Sequence, residues 1–425
     1  MTGIDKPKFV IDPLLGVIEI SDVLPLIDTR EFQSLGFKYQ LGFAYSVFPA
    51  ATHTRKQHSL GAYERARRLT HDWLHNGFID KDEAHALQVY ALYHDIGHGP
   101  FSHVTEKLGK MDHDRRGLEM VKNLQSVIES VGCNYALVQD FFARKNPLYL
   151  GVFDKNFGME KLDYMERDAF YTIGERPGVE YLAKHIYYID KKVMVDEVAL
   201  DQAKDIQDFY IKLYKNVYLR KKSSVLQRTV EKMTHELMKD GLTEAELFTL
   251  TDFGLLGRFE VSQNPSIRFY YERLMSGIVP KITLEFKYES AGPTVDLSHK
   301  TMKVIGFSDE VFEKLAKRDS FNDVTALSEL EVQIASLVGV SPRSIVLVPM
   351  FTRERFRFEP QDMDVYSREG RVTLLSKLYP DHFQAMREYG KSHLSLRVCA
   401  YNEDRRKLYD ASEEVKQYLL SLIKN

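Results

Sequence analysis

Two cysteines, Cys133 and Cys399, are all that the 425 residues contain. So few argue against a disulfide scaffold and against a cysteine-built zinc module, and they fit a reducing compartment. Charge of one sign is equally scarce. The formal net charge is -3, so bulk electrostatics gives no reason to expect nucleic acid or a membrane as the main partner, although local basic clusters leave phosphate binding open. No apolar run reaches the ~18 residues of a membrane span. The opening MTGIDKPKFVIDPLLG has no basic stretch followed by an apolar core, so no signal peptide is expected. Internal repeats and low-complexity tracts are missing as well. The expectation from these absences is a soluble, cytoplasmic protein.

What is present is an ordinary globular balance, 44% apolar and 28% charged, enough for a sizeable core and for two or three domains at ~150 residues each. Residues 1–50 mix short β-like pieces such as GVIEI with glycine and aromatic residues. From about Leu60 to Leu274 apolar residues recur three and four apart, as in SSVLQRTVEKMTHELM, which predicts helices. The polar, Gly-Pro-containing stretch from Lys287 to Lys300 reads as an exposed loop or linker. Beyond it, RSIVLVPM and SLRVCAY predict strands, and SELEVQIASLVG and SEEVKQYLLSLI predict helices. The fold class expected is mainly α: a β-containing lead-in at 1–50, a helical core at 51–280, and a smaller α+β unit at 281–425.

One helix raises a chemical question. Asp80 followed by Glu83 is a capping-box start. From Ala84 to Tyr93 apolar residues occupy nearly every face, which predicts a buried helix. Gly97, Gly99 and Pro100 end it. Asp95 therefore lies near a helix C-terminus, where the dipole disfavours a carboxylate, in surroundings where a charge needs a partner or a metal. A cation resolves this, with His94 beside it and His98 one turn on. Nine of the 14 histidines fall between His53 and His113. Of these, His71, His75 and His85 read as surface helix residues.

Three motifs, RKQHSLG (Arg55–Gly61), HDIGHGPFSH (His94–His103) and KLDYMERD (Lys161–Asp168), resemble the HD-domain phosphohydrolases. The lead-in IDTREFQSLGFKYQLGFAYSVFPAATHTR narrows the resemblance to the deoxynucleoside triphosphate triphosphohydrolase branch, which has bacterial members and a human member carrying a sterile-alpha-motif domain. The matched segments span roughly residues 20 to 240. The resemblance implies a helical HD core, a lead-in that helps form a nucleotide pocket, and metal ligands His58, His94, Asp95 and Glu160. At the last position the family has Asp, and Asp163 is a fallback. Two imidazoles and two carboxylates favour Mn, Fe or Zn, with Mg as a second ion.

The same resemblance implies His103 as general acid, His98 at the phosphate, and Glu106 with His113 as a supporting pair. Arg55 and Lys161 would hold phosphates, as bidentate donor and point charge respectively. Tyr164 would lie against the sugar, Asp168 and Gln40 would bind the 3′-hydroxyl, and Leu41 would lie near the base. Arg220, where the family usually has His, would serve phosphates or belong to a solvated basic face. The activity implied is hydrolysis of deoxynucleoside triphosphates to deoxynucleoside and triphosphate by a homo-oligomer. Another phosphoester (a nucleoside monophosphate, a cyclic nucleotide or a nucleic-acid end) and a nucleotide-binding regulator with weakened catalysis stay open beside it.

Overall fold

The computed structural model describes residues 6–351 and 361–423, apart from the side chain of His103. Its strands are β1 (Phe9–Asp12), β2 (Gly16–Glu19), β3 (Ile186–Ile189), β4 (Lys192–Asp196), β5 (Lys281–Tyr288), β6 (Val295–Leu297), β7 (Met302–Phe307), β8 (Ile345–Pro349), β9 (Asp364–Tyr366), β10 (Val372–Leu374) and β11 (Ser395–Ala400). The helices used below are α1 (Arg55–His75), α2 (Lys81–Tyr93), α3 (His113–Asn123), α4 (Met159–Thr172), α5 (Lys221–Lys239), α6 (Asp309–Ala316), α7 (Val324–Val338) and α8 (Ser412–Ser421). The fold is mainly α, with helices carrying 59% of it and a smaller mixed-sheet unit toward the C-terminus.

Two compact units divide the chain. The first comprises residues 1–102, 111–213 and 361–383, and the second comprises 103–110, 214–360 and 384–425. The change of texture expected at residue 281 coincides with the start of β5, whereas the contact-defined units part the chain elsewhere.

In the first unit the long buried α1 starts at a capping box of Thr54 and Gln57. The capping box expected at Asp80 and Glu83 is formed and opens α2, whose residues Ala86 to Tyr93 are almost all buried. Helix α2 stops at Tyr93, with His94 as its C-cap. The chain then turns through Gly97–Gly99–Pro100, and both Phe101 and Ser102 take a positive φ of 51°, a costly conformation for side-chain-bearing residues. A four-stranded sheet of order β10-β9-β4-β3 interrupts the helical region. Sequence periodicity missed β3 and β4 because strands of four or five residues carry too few alternations to register.

The second unit is built on a five-stranded sheet of order β6-β7-β5-β11-β8. Every residue of β8 and β11 is buried. One face packs Leu284, Phe286, Leu347, Leu396 and Val398 with Phe312 of α6, Ile334 of α7 and Leu419 of α8. The stretch expected as a loop at 287–300 holds the exposed edge strand β6, which pairs antiparallel with β7.

Candidate metal centre

His58 sits on the second turn of α1 and is fully buried. Its Nδ1 lies 2.8 Å from Asp163 Oδ2. A carboxylate only accepts, so the ring proton is on Nδ1 and the Nε2 lone pair faces the other way. His94 repeats the arrangement, with Nδ1 2.7 Å from the carbonyl oxygen of Ala91. The two Nε2 atoms face each other at 3.2 Å. Asp95 Oδ1 is 3.4 Å from His94 Nε2, and Asp95 Oδ2 is 3.9 Å from His58 Nε2. One donor atom from each of the three residues fits within 4.8 Å of the others, and all three residues are buried.

The electrostatics favour positive charge between these donors. Burial pushes His94 down to about 4, so its imidazole is neutral near pH 7. Burial also acts to lower His58, but the carboxylates of Asp163, Asp95 and Glu160 outweigh it and raise the ring above its ordinary value. Two imidazole lone pairs and a carboxylate converging in a dry site are a donor set for a divalent transition metal.

The outer contacts fix these donors. Asp163 accepts from Arg167 Nε at 2.9 Å and Nη2 at 3.0 Å, and Arg167 Nη1 reaches Asp12 Oδ2 at 2.7 Å. A carboxylate that orients a ligating histidine in this way is a common second layer of a metal site. Asp163, the fallback ligand, thus lies on the Nδ1 side of His58, away from the converging Nε2 atoms. A Cβ on Gly61 would come within 2.1 Å of Asp163 Oδ1 and 2.3 Å of Arg167 Nη2, so the pair occupies the space that this glycine leaves. Asp95 is held well below the usual carboxylate range: burial opposes ionisation, and the Arg55 guanidinium overcomes it. Arg55 Nη1 is 2.6 Å from Asp95 Oδ2, and its Nε is 2.6 Å from Ser102 Oγ.

Glu160, in the first turn of α4, is not in the three-residue group. Burial pushes its carboxyl up to about 7, with His58 opposing the rise. Lys161 donates to the Lys155 carbonyl at 2.6 Å and lies 3.7 Å from the centre of the Tyr210 ring; burial lowers it to about 8. The Tyr164 ring stands edge-on to His58 at 6.3 Å. Asp168, buried on the same helix, meets His53 Nε2 at 2.7 Å.

His98 and His113 stack face to face, 4.0 Å between ring centres and 15° apart. This stacking places His113, at the start of α3, against the HDIGH turn. The approach depends on Gly97, because a Cβ there would lie 2.1 Å from the His113 carbonyl and 2.5 Å from Gly117 N. His98 Nε2 is 3.2 Å from Asp95 Oδ1, and burial with the Arg55 charge keeps His98 well below its ordinary value. Lys38, missed in the sequence, is buried and donates to the His98 carbonyl at 2.5 Å. Gln40 has its Oε1 buried without a partner among the described residues, and Leu41 is half-buried nearby in sequence. Glu106 and Arg220 belong to the second unit, where Glu106 ends a one-turn helix and Arg220 caps α5. The expected general acid, the side chain of His103, lies outside the described residues. The surface reading holds for His71 and His75, which are exposed; His85 is half-buried.

Residues 55–144 match the HD domain family model, the span that contains the converging His58, His94 and Asp95. The chain carries an HD domain. This HD protein is 35% identical over 187 residues to YwfO of Bacillus subtilis, an uncharacterized protein, with 42% of each chain covered. It is 41% identical over 107 residues to the deoxynucleoside triphosphate triphosphohydrolase SAMHD1 of Homo sapiens, covering 24% of this chain and 17% of that one. The matches thus span less than half the length of both relatives. In fold, it is similar to a phosphohydrolase of Bacteroides thetaiotaomicron, with a TM-score of 0.71 and 20% identity over 93% of this chain and all of that one. Among the described residues no helix is long and apolar enough to cross a membrane.

Proposed function

We propose that this HD protein is a metal-dependent nucleotide phosphohydrolase that converts deoxynucleoside triphosphates to deoxynucleoside and triphosphate. The observation that carries the reading is the pair of facing Nε2 atoms of His58 and His94, 3.2 Å apart beside Asp95, with each Nδ1 proton committed elsewhere. Similarity to the named triphosphohydrolase over the motif-bearing stretch supports the substrate class.

A divalent ion held by His58, His94 and Asp95, with Glu160 as fourth ligand, would supply a water acidic enough to attack phosphorus near neutral pH and a Lewis acid for a phosphoryl oxygen. Mn, Fe or Zn suits these donors, with Mg as a second ion. The chain's own groups do the rest. His98, neutral and paired with Asp95, contacts phosphate, and His113 stacked on it supports that position. His103 gives a proton to the leaving 5′-oxygen, with Glu106 in support. Arg55, Lys161 and Arg220 carry positive charge to the phosphates. Tyr164 lines the sugar, Asp168 and Gln40 bind its 3′-hydroxyl, and Leu41 meets the base. The working form in this reading is a cytoplasmic homo-oligomer.

Incubation with a panel of deoxynucleotides, ribonucleotides, monophosphates and cyclic nucleotides, each with Mn, Fe, Zn or Mg, tests the proposal. Ion-exchange chromatography separates triphosphate, pyrophosphate and phosphate, so the product names the bond cut. Release of triphosphate from a deoxynucleotide supports the reading, and release of phosphate from another ester replaces the substrate class. A second reading, a nucleotide-binding regulator with weakened catalysis, is favoured by Glu160: a carboxyl pushed to about 7 is a poorer anionic ligand than the family's Asp. Nucleotide binding without hydrolysis, in protein purified without chelators and lacking bound metal, would select it.

A further inference from the structure

Tyr39 and Thr54 form an antiparallel bridge just before α1. Gln40 N donates to the His53 carbonyl at 3.0 Å, and Arg55 N donates to the Lys38 carbonyl at 2.9 Å. Opposed and alternate residues of such a ladder share a face, so Lys38, Gln40, His53 and Arg55 lie on one side of it. Side-chain bonds agree for two of them, since Lys38 reaches the His98 carbonyl and Arg55 reaches Asp95.

His53 is the member of this face without a role so far. Its side chain is fully buried and its Nε2 is 2.7 Å from Asp168 Oδ1. Its ring lies flat on Tyr171, 4.7 Å between centres and 13° apart, so ring rotation is blocked. Its Nδ1 is buried and meets no partner among the described residues. The carboxylate can only accept, so the imidazole carries its proton on Nε2, and no group among the described residues competes at Nδ1 for that choice. On the opposed residue, Gln40 Oε1 is a second buried acceptor without a donor among the described residues. Buried acceptors without donors are rare in proteins and call for an explanation; a ligand hydroxyl supplies one here.

We infer that His53 is a positioning residue for recognition of the sugar: it holds the Asp168 carboxylate in the orientation that accepts a ribose-ring hydroxyl, with Gln40 as the neighbouring acceptor. The inference rests on the reading of Asp168 and Gln40 as hydroxyl ligands made above. Its consequence is specific. Loss of His53 weakens recognition of the hydroxyl and leaves phosphate and metal contacts in place.

The test compares the full chain with H53A and H53Q, because the Gln Nε2 donor can take the place of the ring Nε2. Each protein is loaded with Mn and assayed for kcat and KM on dATP and dGTP, and on their 2′,3′-dideoxy counterparts. Equilibrium binding of the same four nucleotides is measured with Ca in place of Mn. Metal content and thermal stability are recorded alongside. The expected result is that H53A loses about tenfold in kcat/KM and affinity on the deoxynucleotides, changes little on the dideoxynucleotides, and retains metal; H53Q recovers most of the loss. An equal fall on both nucleotide types, or H53Q as impaired as H53A, overturns the inference while the proposed activity stands. If H53A does not fold, the H53Q profile and its coupling to D168N decide, and additive effects of those two changes overturn the inference. If the unaltered protein neither binds nor cleaves any of the four nucleotides, the proposed function falls, and this role of His53 with it.

Discussion

Replacing Asp163 by Asn removes one charge from a buried group in which Asp163 and Asp12 face Arg167 and His58. Asp163 and Arg167 are both fully buried, so solvent cannot repair the loss. Three donors converge on the carboxylate: His58 Nδ1 at 2.8 Å, Arg167 Nε at 2.9 Å and Arg167 Nη2 at 3.0 Å. An amide accepts through one oxygen only and turns an NH2 toward the remaining donors. Breaking a buried pair typically costs about 3–5 kcal/mol. Asp12 still faces Arg167 at 2.7 Å, so the lower end, about 3 kcal/mol, is expected. For a unit of this size that corresponds to a fall of about 6–12 °C in the melting transition, measured by calorimetry in chelator. His58 also loses the partner that fixes its tautomer, and metal affinity should drop about 10- to 100-fold, measured by titration calorimetry. The sign with pH is set by Asp163, whose carboxyl is pushed far below its ordinary 3.8 by Arg167 against burial. Its contribution is complete above the unfolded value and is lost as pH falls, so the gap between the two proteins should close in acid. A transition lowered by less than about 2 °C at pH 7.5, with metal affinity unchanged, would refute the assigned network.

Three further outcomes are expected. Gly61→Ala should destabilise despite the ~1 kcal/mol that Ala gains over Gly inside a helix, because its Cβ meets the Asp163–Arg167 pair at 2.1 and 2.3 Å; a raised melting temperature would contradict the packing. In chelator, Glu160→Gln should be more stable than the unaltered protein above pH 7 and equal to it below pH 4.5. The folded carboxyl is raised from 4.5 to about 7, so its stabilising contribution is present below the unfolded value and is lost as pH rises through the folded one, about 3 kcal/mol in all; a pH-independent difference in melting temperature argues against this. Asp95→Asn should strip bound metal, read by elemental analysis, and abolish turnover with any nucleotide; retention of both would rule out the centre.

The legible parts of the site were those written in local spacing. The capping box at Asp80 and Glu83, the apolar run to Tyr93 and the His94–Asp95 step announced a buried helix delivering a carboxylate to a dry place, and the structure forms that helix. Asp163 and Arg167 are four residues apart on α4, a spacing that signals a pair, but nothing local said that the pair would back His58 from 105 residues away. Lys38 and His53 gave less signal still. A lone lysine and a histidine before a helix look like surface residues until the Tyr39–Thr54 bridge turns them inward. The two short strands at 186–196 were hidden for a related reason, since β4 is tied into its sheet by β9, which comes from residues 364–366.

By itself the sequence determined where α2 begins and ends, that a mixed sheet follows the helical region, and which residue types could bind a cation, because caps, periodicity and side-chain chemistry act over a few residues. Tertiary structure alone decided which nitrogen of each histidine faces the centre, that Arg55 pairs with Asp95, that His98 lies flat on His113, and that Asp163 stands behind His58 rather than beside it. Those outcomes depend on donors and acceptors brought together from distant segments, where burial makes each unmatched group costly and so selects one arrangement.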